Sequence, residues 1–278
     1  MQFDSPPHVP LWRTVFKRTR TAGIPRIEAS AAQLPPGDLA GYRTVCGFPD
    51  LDTLPPCFPD LLCRGLQLAV LTAPAFPVGL LGIVHVRQQI TQDRAIRASE
   101  ALSGRVWVEG SRAGRRGGEF DLHTLISAGA DDVWHGVTTI LSRDLPRLPS
   151  AGTERGARMT ENADPRAEHT ATWTLPADLG RRYARVSGDV NPIHQYGWMA
   201  RLFGFEGAII HGWWTLARCL AELEAARVPP NGRLTVEARF LAPLFLPSTP
   251  IFSSTSGPLG QTFFVRDGGR LALQGTLT

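Results

Sequence analysis

The sequence predicts an α+β protein of two similar halves, each an antiparallel sheet wrapped around one long helix. Two observations carry this. The same order of helices and alternating strands occurs twice along 278 residues, enough chain for one large domain or two smaller ones. The halves are divided by a stretch at 144–168 in which proline, glycine and charge dominate and apolar residues are few, as expected of a linker.

The second half is the clearer. Thr170 to Leu175 alternates as a short strand. A helix begins around Pro176-Ala177-Asp178-Leu179 and runs to about Val186, with Asp178 near its first turn. A short helix fits Gly197 to Phe203. A long one is predicted from Gly212 to about Arg227, where Trp213, Leu216, Ala217, Leu220, Leu223 and Ala226 keep helical spacing. Pro229-Pro230-Asn231-Gly232 ends it. Strands are predicted at Leu234–Phe240, Pro250–Ser256, Thr262–Arg266 and Leu271–Leu277, with Asp267-Gly268-Gly269 as a tight turn.

The first half reads in the same order: a strand at Arg26–Ala29, helices at Gly37–Cys46 and Leu61–Leu71, and strands at Leu81–Thr91, Ala101–Glu109, Glu119–Ser127 and Val133–Leu141. His85–Ile96 and Val236–Pro247 hold matching places, as do Asp132–Thr138 and Gly269–Gly275. Gly114-Arg115-Arg116 reads as a hairpin turn. Val9 to Ala22, with four basic residues among Leu11, Trp12, Val15 and Phe16, reads as a helix packed on its own domain rather than on a membrane surface.

Composition narrows the function classes. At 43% hydrophobic and 19% charged, the chain is ordinary for a globular protein. No apolar run reaches the roughly 20 residues of a membrane span, and the start lacks the basic and apolar regions of a secretory leader. The net charge is +4, nearly all arginine, since Lys17 is the only lysine. Such charge suits anionic partners such as coenzyme A phosphates or an acidic carrier protein. No basic block interleaved with aromatics suggests nucleic acid. Cys46, Cys57, Cys63 and Cys219 show neither a disulfide framework nor zinc spacing. They read as buried and inert, in a reducing cytoplasm.

The chemistry concentrates in Tyr183-Ala184-Arg185-Val186-Ser187-Gly188-Asp189-Val190-Asn191-Pro192-Ile193-His194, followed by Gly204-Phe205 and Ile209-Ile210-His211-Gly212-Trp213-Trp214. Gly188 suits a left-handed helix end. Pro192 stiffens the loop and keeps Asn191 out of helical geometry. The loop can then aim Asp189 and His194 at one point, a carboxylate and an imidazole able to share proton transfer. Gly212 opens a helix whose free N–H groups and positive dipole end can hold an anionic oxygen. Taken singly, Asp189 is a cap, His194 a structural histidine and Asn191-Pro192 a turn. Asp189-x-Asn191 lacks the further oxygen ligands of a calcium loop. His194 and His211 lack the company of a zinc cluster.

Together these residues resemble the motif of the MaoC-like dehydratases, or hydratase 2 enzymes. The motif covers 183–214, and the length and layout extend the resemblance to the double-hotdog (3R)-hydroxyacyl-thioester dehydratases. The resemblance implies a degenerate hotdog at 1–143, a linker at 144–168, and a hotdog at 169–278 bearing the site. It implies that Asp189 and His194 form the catalytic dyad, that the Gly212 N–H polarises the thioester carbonyl, and that Gly188, Asn191 and Pro192 shape the loop. It implies a coenzyme A or acyl-carrier thioester as substrate, with neither metal nor redox cofactor, and reversible syn addition of water to a trans-2-enoyl thioester. The family often has an acidic residue where Tyr196 stands, and a methionine where Trp213 stands. With Trp214, these rings read as lining the acyl tunnel, with core packing an equal alternative for the tryptophans. The first half has Val45-Cys46-Gly47-Phe48-Pro49-Asp50-Leu51-Asp52 at the matching place and no histidine there, so one site per chain is expected. The other readings are a hotdog thioesterase and a non-catalytic acyl-binding subunit. The duplication lets one chain stand for the usual hotdog pair, and homodimers of such chains are compatible with it.

Overall fold

A computed structural model describes residues 1–9, 23–80, 83–114, 116–143, 145–146, 167–223 and 232–278. Most of the expected N-terminal helix, nearly all of the 144–168 linker, Arg115, and the end of the second long helix with its Pro-Pro-Asn stop lie outside the described residues.

In the first half, strand β1 (Gln2–Phe3) is followed by β2 (Ile27–Ala31). Helices α1 (Leu39–Cys46), α2 (Phe58–Leu62) and α3 (Arg64–Thr72) come next. Strands β3 (Val84–Gln92), β4 (Leu102–Val108), β5 (Arg112–Ala113), β6 (Gly118–Ala128) and β7 (Asp131–Ser142) complete it. The second half holds β8 (His169–Thr172), α4 (Leu179–Ser187), α5 (Pro192–Gln195), α6 (Gly197–Leu202) and α7 (Gly212–Glu222). Strands β9 (Leu234–Phe240), β10 (Ile251–Gly257), β11 (Gly260–Asp267) and β12 (Arg270–Leu277) close the chain.

The strands form a single sheet in the order β1-β2-β4-β6-β7-β3-β9-β12-β11-β10-β8, with β5 paired to β6. Read outward from the centre, β3-β7-β6-β4-β2 mirrors β9-β12-β11-β10-β8. The segments expected to match thus take equivalent places, β3 with β9 and β7 with β12. Apart from the parallel β1–β2 pair, the pairings are antiparallel.

Alternation explains which face the sheet buries. Phe120, Leu122 and Ile126 recur every second or fourth residue along β6, and all are buried. Phe263 and Val265 do the same on β11. At the central seam, Ile90 stands opposite Val236 with both fully buried. Gln88 opposite Ala238 is buried too, and its Oε1 accepts from the Thr138 hydroxyl at 2.8 Å. Helix α3 lies against β2 and β4. Helix α7 is buried on most of its circumference, at Trp214, Thr215, Leu216, Ala217, Cys219 and Leu220, as a helix enclosed by its sheet must be.

Three expectations are corrected. The helix expected over Leu61–Leu71 is two helices, because Cys63 leaves helical geometry and its N–H turns back to the Asp60 carbonyl at 3.2 Å. The break makes Arg64 the first residue of α3. The stretch after Asn191 is not only a stiffened loop: Asn191 caps a one-turn helix with Pro192 at its first position. The strand expected over Thr170–Leu175 stops at Thr172, with Leu175 returning as a lone bridge to Ser248. All four cysteines are free and buried, and burial pushes each thiol up in pKa, so they match the inert reading.

The two halves are also tied by a buried hydrogen bond, from the Trp214 indole N–H on α7 to the Val45 carbonyl at the end of α1, 2.8 Å. Trp214→Phe removes the indole N–H, strands that carbonyl and leaves a small cavity in the core. It should lower the unfolding free energy by about 1–3 kcal/mol, measured by urea denaturation.

Candidate active site

The site is assembled from the C-terminus of α4 onward. Gly188 ends α4 in the left-handed region, φ 68°, with its N–H on the Ala184 carbonyl at 3.0 Å. Short polar links then steer the loop. The Ser187 hydroxyl accepts from the Asp189 N–H (3.2 Å), Asp189 Oδ1 from the Asn191 N–H (3.3 Å), and Asn191 Oδ1 from the Ile193 N–H (3.4 Å).

His194 emerges on α5. Its Nδ1–H donates to the Ile209 carbonyl at 2.9 Å, which leaves Nε2 as the proton-exchanging nitrogen. Helix α4 has to come very close for this. A Cβ on Gly180 would lie 1.8 Å from the His194 carbonyl oxygen, so only glycine fits there. Nothing local in the sequence marks Gly180.

The sequence offers His211 only as a possible zinc partner of His194, and nothing local marks Arg64. His211 is buried, donates from Nε2 to the Asp189 carbonyl at 2.9 Å, and stacks on His194 with ring centroids 3.8 Å apart. Arg64, from the first half, places Nη2 2.9 Å from Asp189 Oδ2. The donor atoms of Asp189, His194 and His211 lie within 4.8 Å of one another, so a carboxylate does join the two histidines, contrary to expectation. The Arg64 guanidinium already supplies the cationic partner of that carboxylate.

Electrostatics separate the groups. Burial pushes Asp189 up, but Arg64, then His211 and His194, outweigh it and hold the carboxyl well below the usual range. Burial lowers His194, and Asp189 opposes this. Burial and the neighbouring His194 push His211 down to about 3. One imidazole of the stacked pair therefore stays neutral.

Helix α7 begins at Gly212, with His211 as its N-cap residue in extended geometry and no side-chain cap bond. The polar end of the helix thus opens beside the two histidines. A small cavity between the halves is lined by Asp60, Leu61, Arg64, Tyr183, Asp189 and Trp213, among others. Of the three rings expected along a tunnel, Trp213 borders this cavity. Trp214 is in the core and bound to Val45, and Tyr196 is exposed on the outer side with Arg181 over its ring. In the first half, the loop matching Asp189–His194 is tied down by Arg43, which pairs with Asp50 at 2.6 Å and donates to the Leu51 and Thr53 carbonyls.

Residues 157–253 match the model of the MaoC like domain family. The chain is 36% identical over 232 residues to 3-hydroxyacyl-thioester dehydratase X of Mycobacterium tuberculosis, covering 83% of this chain and 80% of that protein. The chain belongs to the MaoC-like dehydratases. A crystal structure of HtdX from Mycobacterium tuberculosis superposes with a TM-score of 0.75 at 31% identity, over 91% of this chain and 98% of that one. A MaoC-like dehydratase from Phytophthora capsici shares the fold, with a TM-score of 0.69 at 21% identity over 91% and 96% of the two chains. The fold of this MaoC-like dehydratase is accordingly a double hotdog.

Two outcomes follow from the site's construction. Gly180→Ala must push α4 and α5 apart, and should cost about 1–3 kcal/mol in a thermal or urea melt. His211 gives the site a pH signature. An unfolded histidine binds a proton below about pH 6.5, whereas folded His211 does so only near 3. Between these values the unfolded chain holds the extra proton, so stability falls as pH falls. At pH 5 the cost is on the order of 2 kcal/mol. His211→Gln should therefore lose less stability than the parent between pH 7 and pH 5; equal losses would contradict the assignment.

Proposed function

We propose that this MaoC-like dehydratase interconverts trans-2-enoyl and (3R)-hydroxyacyl thioesters by syn addition and elimination of water, with Asp189 and His194 as its catalytic residues. The observation that carries the reading is the convergence of the Asp189 carboxylate and the His194 imidazole beside the open N-terminus of α7. In hydration, the two side chains hold a water above C3. Its oxygen bonds to C3, and a proton is delivered to C2 on the same face. The Gly212 N–H and the helix dipole stabilise the enolate oxygen of the thioester as charge develops there. Asn191, Gly188 and Pro192 keep the loop in shape. Elimination is the reverse.

The substrate is an acyl thioester of coenzyme A or of an acyl-carrier protein. The reading includes the division into a degenerate hotdog at 1–143, a linker at 144–168 and a site-bearing hotdog at 169–278. It also includes a cytoplasmic setting, which four free buried cysteines favour. No helix among the described residues is long and apolar enough to cross a membrane. The fixed tautomer of His194 and the ionised Asp189 favour a working site over an idle acyl-binding subunit, and the intact motif favours it over a thioesterase.

Purified protein should hydrate crotonyl-CoA, or a longer 2-enoyl-CoA, to the R product. Asp189→Asn and His194→Gln should each lower kcat by about 10²–10⁴-fold with unchanged circular dichroism. Unchanged turnover in both variants would overturn the assignment.

A further inference from the structure

We infer that Arg64, contributed by the first half, is a positioning residue that keeps Asp189 ionised and thereby leaves proton carriage to His194. The inference rests on the proposed dyad and adds a division of labour within it.

The geometry of Asp189 is one-sided. Oδ1 accepts the Asn191 N–H and Oδ2 accepts Arg64 Nη2. Both oxygens thus face donors, and a proton on either would displace one of them. His194 is arranged the opposite way. Its Nδ1–H is spent on the Ile209 carbonyl, and Nε2 is left to gain or lose a proton. A nearby carboxylate that stays anionic stabilises the imidazolium that forms.

Arg64 is placed for this by the break at Cys63, which starts α3 at the arginine. The Cβ position of Gly188 is 4.0 Å from Arg64 Cγ, so the stem of the arginine runs beside the turn that carries Asp189. Behind it, Asp60 is buried and accepts from Gln67 at 2.8 Å. Burial pushes Asp60 up to about 6, opposed by Gln67 and Arg64. Arg64 itself stays cationic, because Asp189 and Asp60 overcome its burial.

The titratable groups around Asp189 come from every neighbouring element: Asp60 on α2, Arg64 on α3, His85 on β3, Tyr183 on α4, His194 on α5, and His211 before α7. Tyr183 is raised well above the ordinary phenol range and His85 lowered to about 4, each chiefly by burial. Both are therefore neutral near pH 7. Arg64 is the permanent positive charge among these groups.

The test is the pH profile of kcat/KM for crotonyl-CoA hydration by the full chain, from about pH 4 to 9, in wild type, Arg64→Gln and Arg64→Lys. In wild type the acid limb reports His194. In Arg64→Gln it should move up by about one unit or more, because Asp189 and His194 both lose the nearby cation. Arg64→Lys should return the limb most of the way, though without the full kcat, since lysine is a point charge without the planar fork. An unmoved limb in Arg64→Gln, however large the loss of rate, would overturn the inference, as would a lysine that fails to restore the limb. Titration of the Asp189 carboxyl by ¹³C NMR reads the same quantity without substrate: its midpoint should rise in Arg64→Gln, and an unchanged midpoint counts against the inference. A wild type that hydrates no enoyl thioester would sink the functional reading, and the NMR titration would still decide the role of Arg64.

Discussion

The antiparallel pairing of β3 with β9 is the constraint on which the rest of the molecule depends. It joins the seven strands of the first half and the five of the second into one sheet through Ile90 and Val236, both without solvent exposure. Because side chains alternate across a strand, a slip of one residue at this seam would turn buried positions outward on both sides. The register thus fixes how the helices of one half meet those of the other. Helix α1 meets α4, with Tyr42 and Tyr183 rings 6.3 Å apart, and α7 reaches the end of α1 through Trp214. The start of α3 reaches the end of α4, which is how a charge from the first half arrives at Asp189.

The halves share a backbone device and differ in what they hang on it. Helix α1 ends at Gly47 as α4 ends at Gly188, with φ 81° and 68° and with the cap N–H bonded four residues back in each case. Tyr42 and Tyr183 stand five residues before those glycines, and both are fully buried. After the glycine the chemistry diverges. Phe48 occupies the place of Asp189 and enters the core, and Arg43 fastens the following loop from within. A helix closed by a left-handed glycine therefore belongs to the fold in both halves. The carboxylate and imidazole stand at this place in only one of them.

The legible parts of the sequence were those governed by local rules. Strand β9 follows from alternation alone and occupies the expected Leu234–Phe240. Gly188 is readable because a left-handed helix end favours glycine strongly, and Gly268 and Gly269 because the β11–β12 turn needs positive φ at both. What escaped was set by distance in the chain. Gly180 looks like a helix weakness until α5 is folded against it. Arg64 falls inside the helix expected over Leu61–Leu71 until Cys63 breaks that helix and the seam brings Asp189 across. Trp213 and Trp214 are neighbours in sequence, where tunnel and core are equally open to both. On a helix they point about 100° apart, and one faces the cavity while the other is buried against α1. The one-turn helix α5 carries its own signal, asparagine before proline, which reads as a turn because four residues are too few for periodicity.

Two stacked imidazoles beside one carboxylate are a costly arrangement unless their charge states are kept apart. His211 is the more buried of the pair, and its Nε2–H is fixed to the backbone of Asp189 itself. Ionising it would put a second positive charge 3.8 Å from His194, in a low-dielectric space where like charges repel strongly. A neutral His211 instead acts as a strut: it holds the Asp189 backbone from one side while Asn191 and Arg64 hold the carboxylate from the other. On the proposed reading, the proton inventory of the site reduces to one mobile site at His194 Nε2, flanked by the Asp189 carboxylate and a neutral ring. Such a site can alternate between giving and taking a proton without rearranging its neighbours, which is the property a reversible addition of water requires.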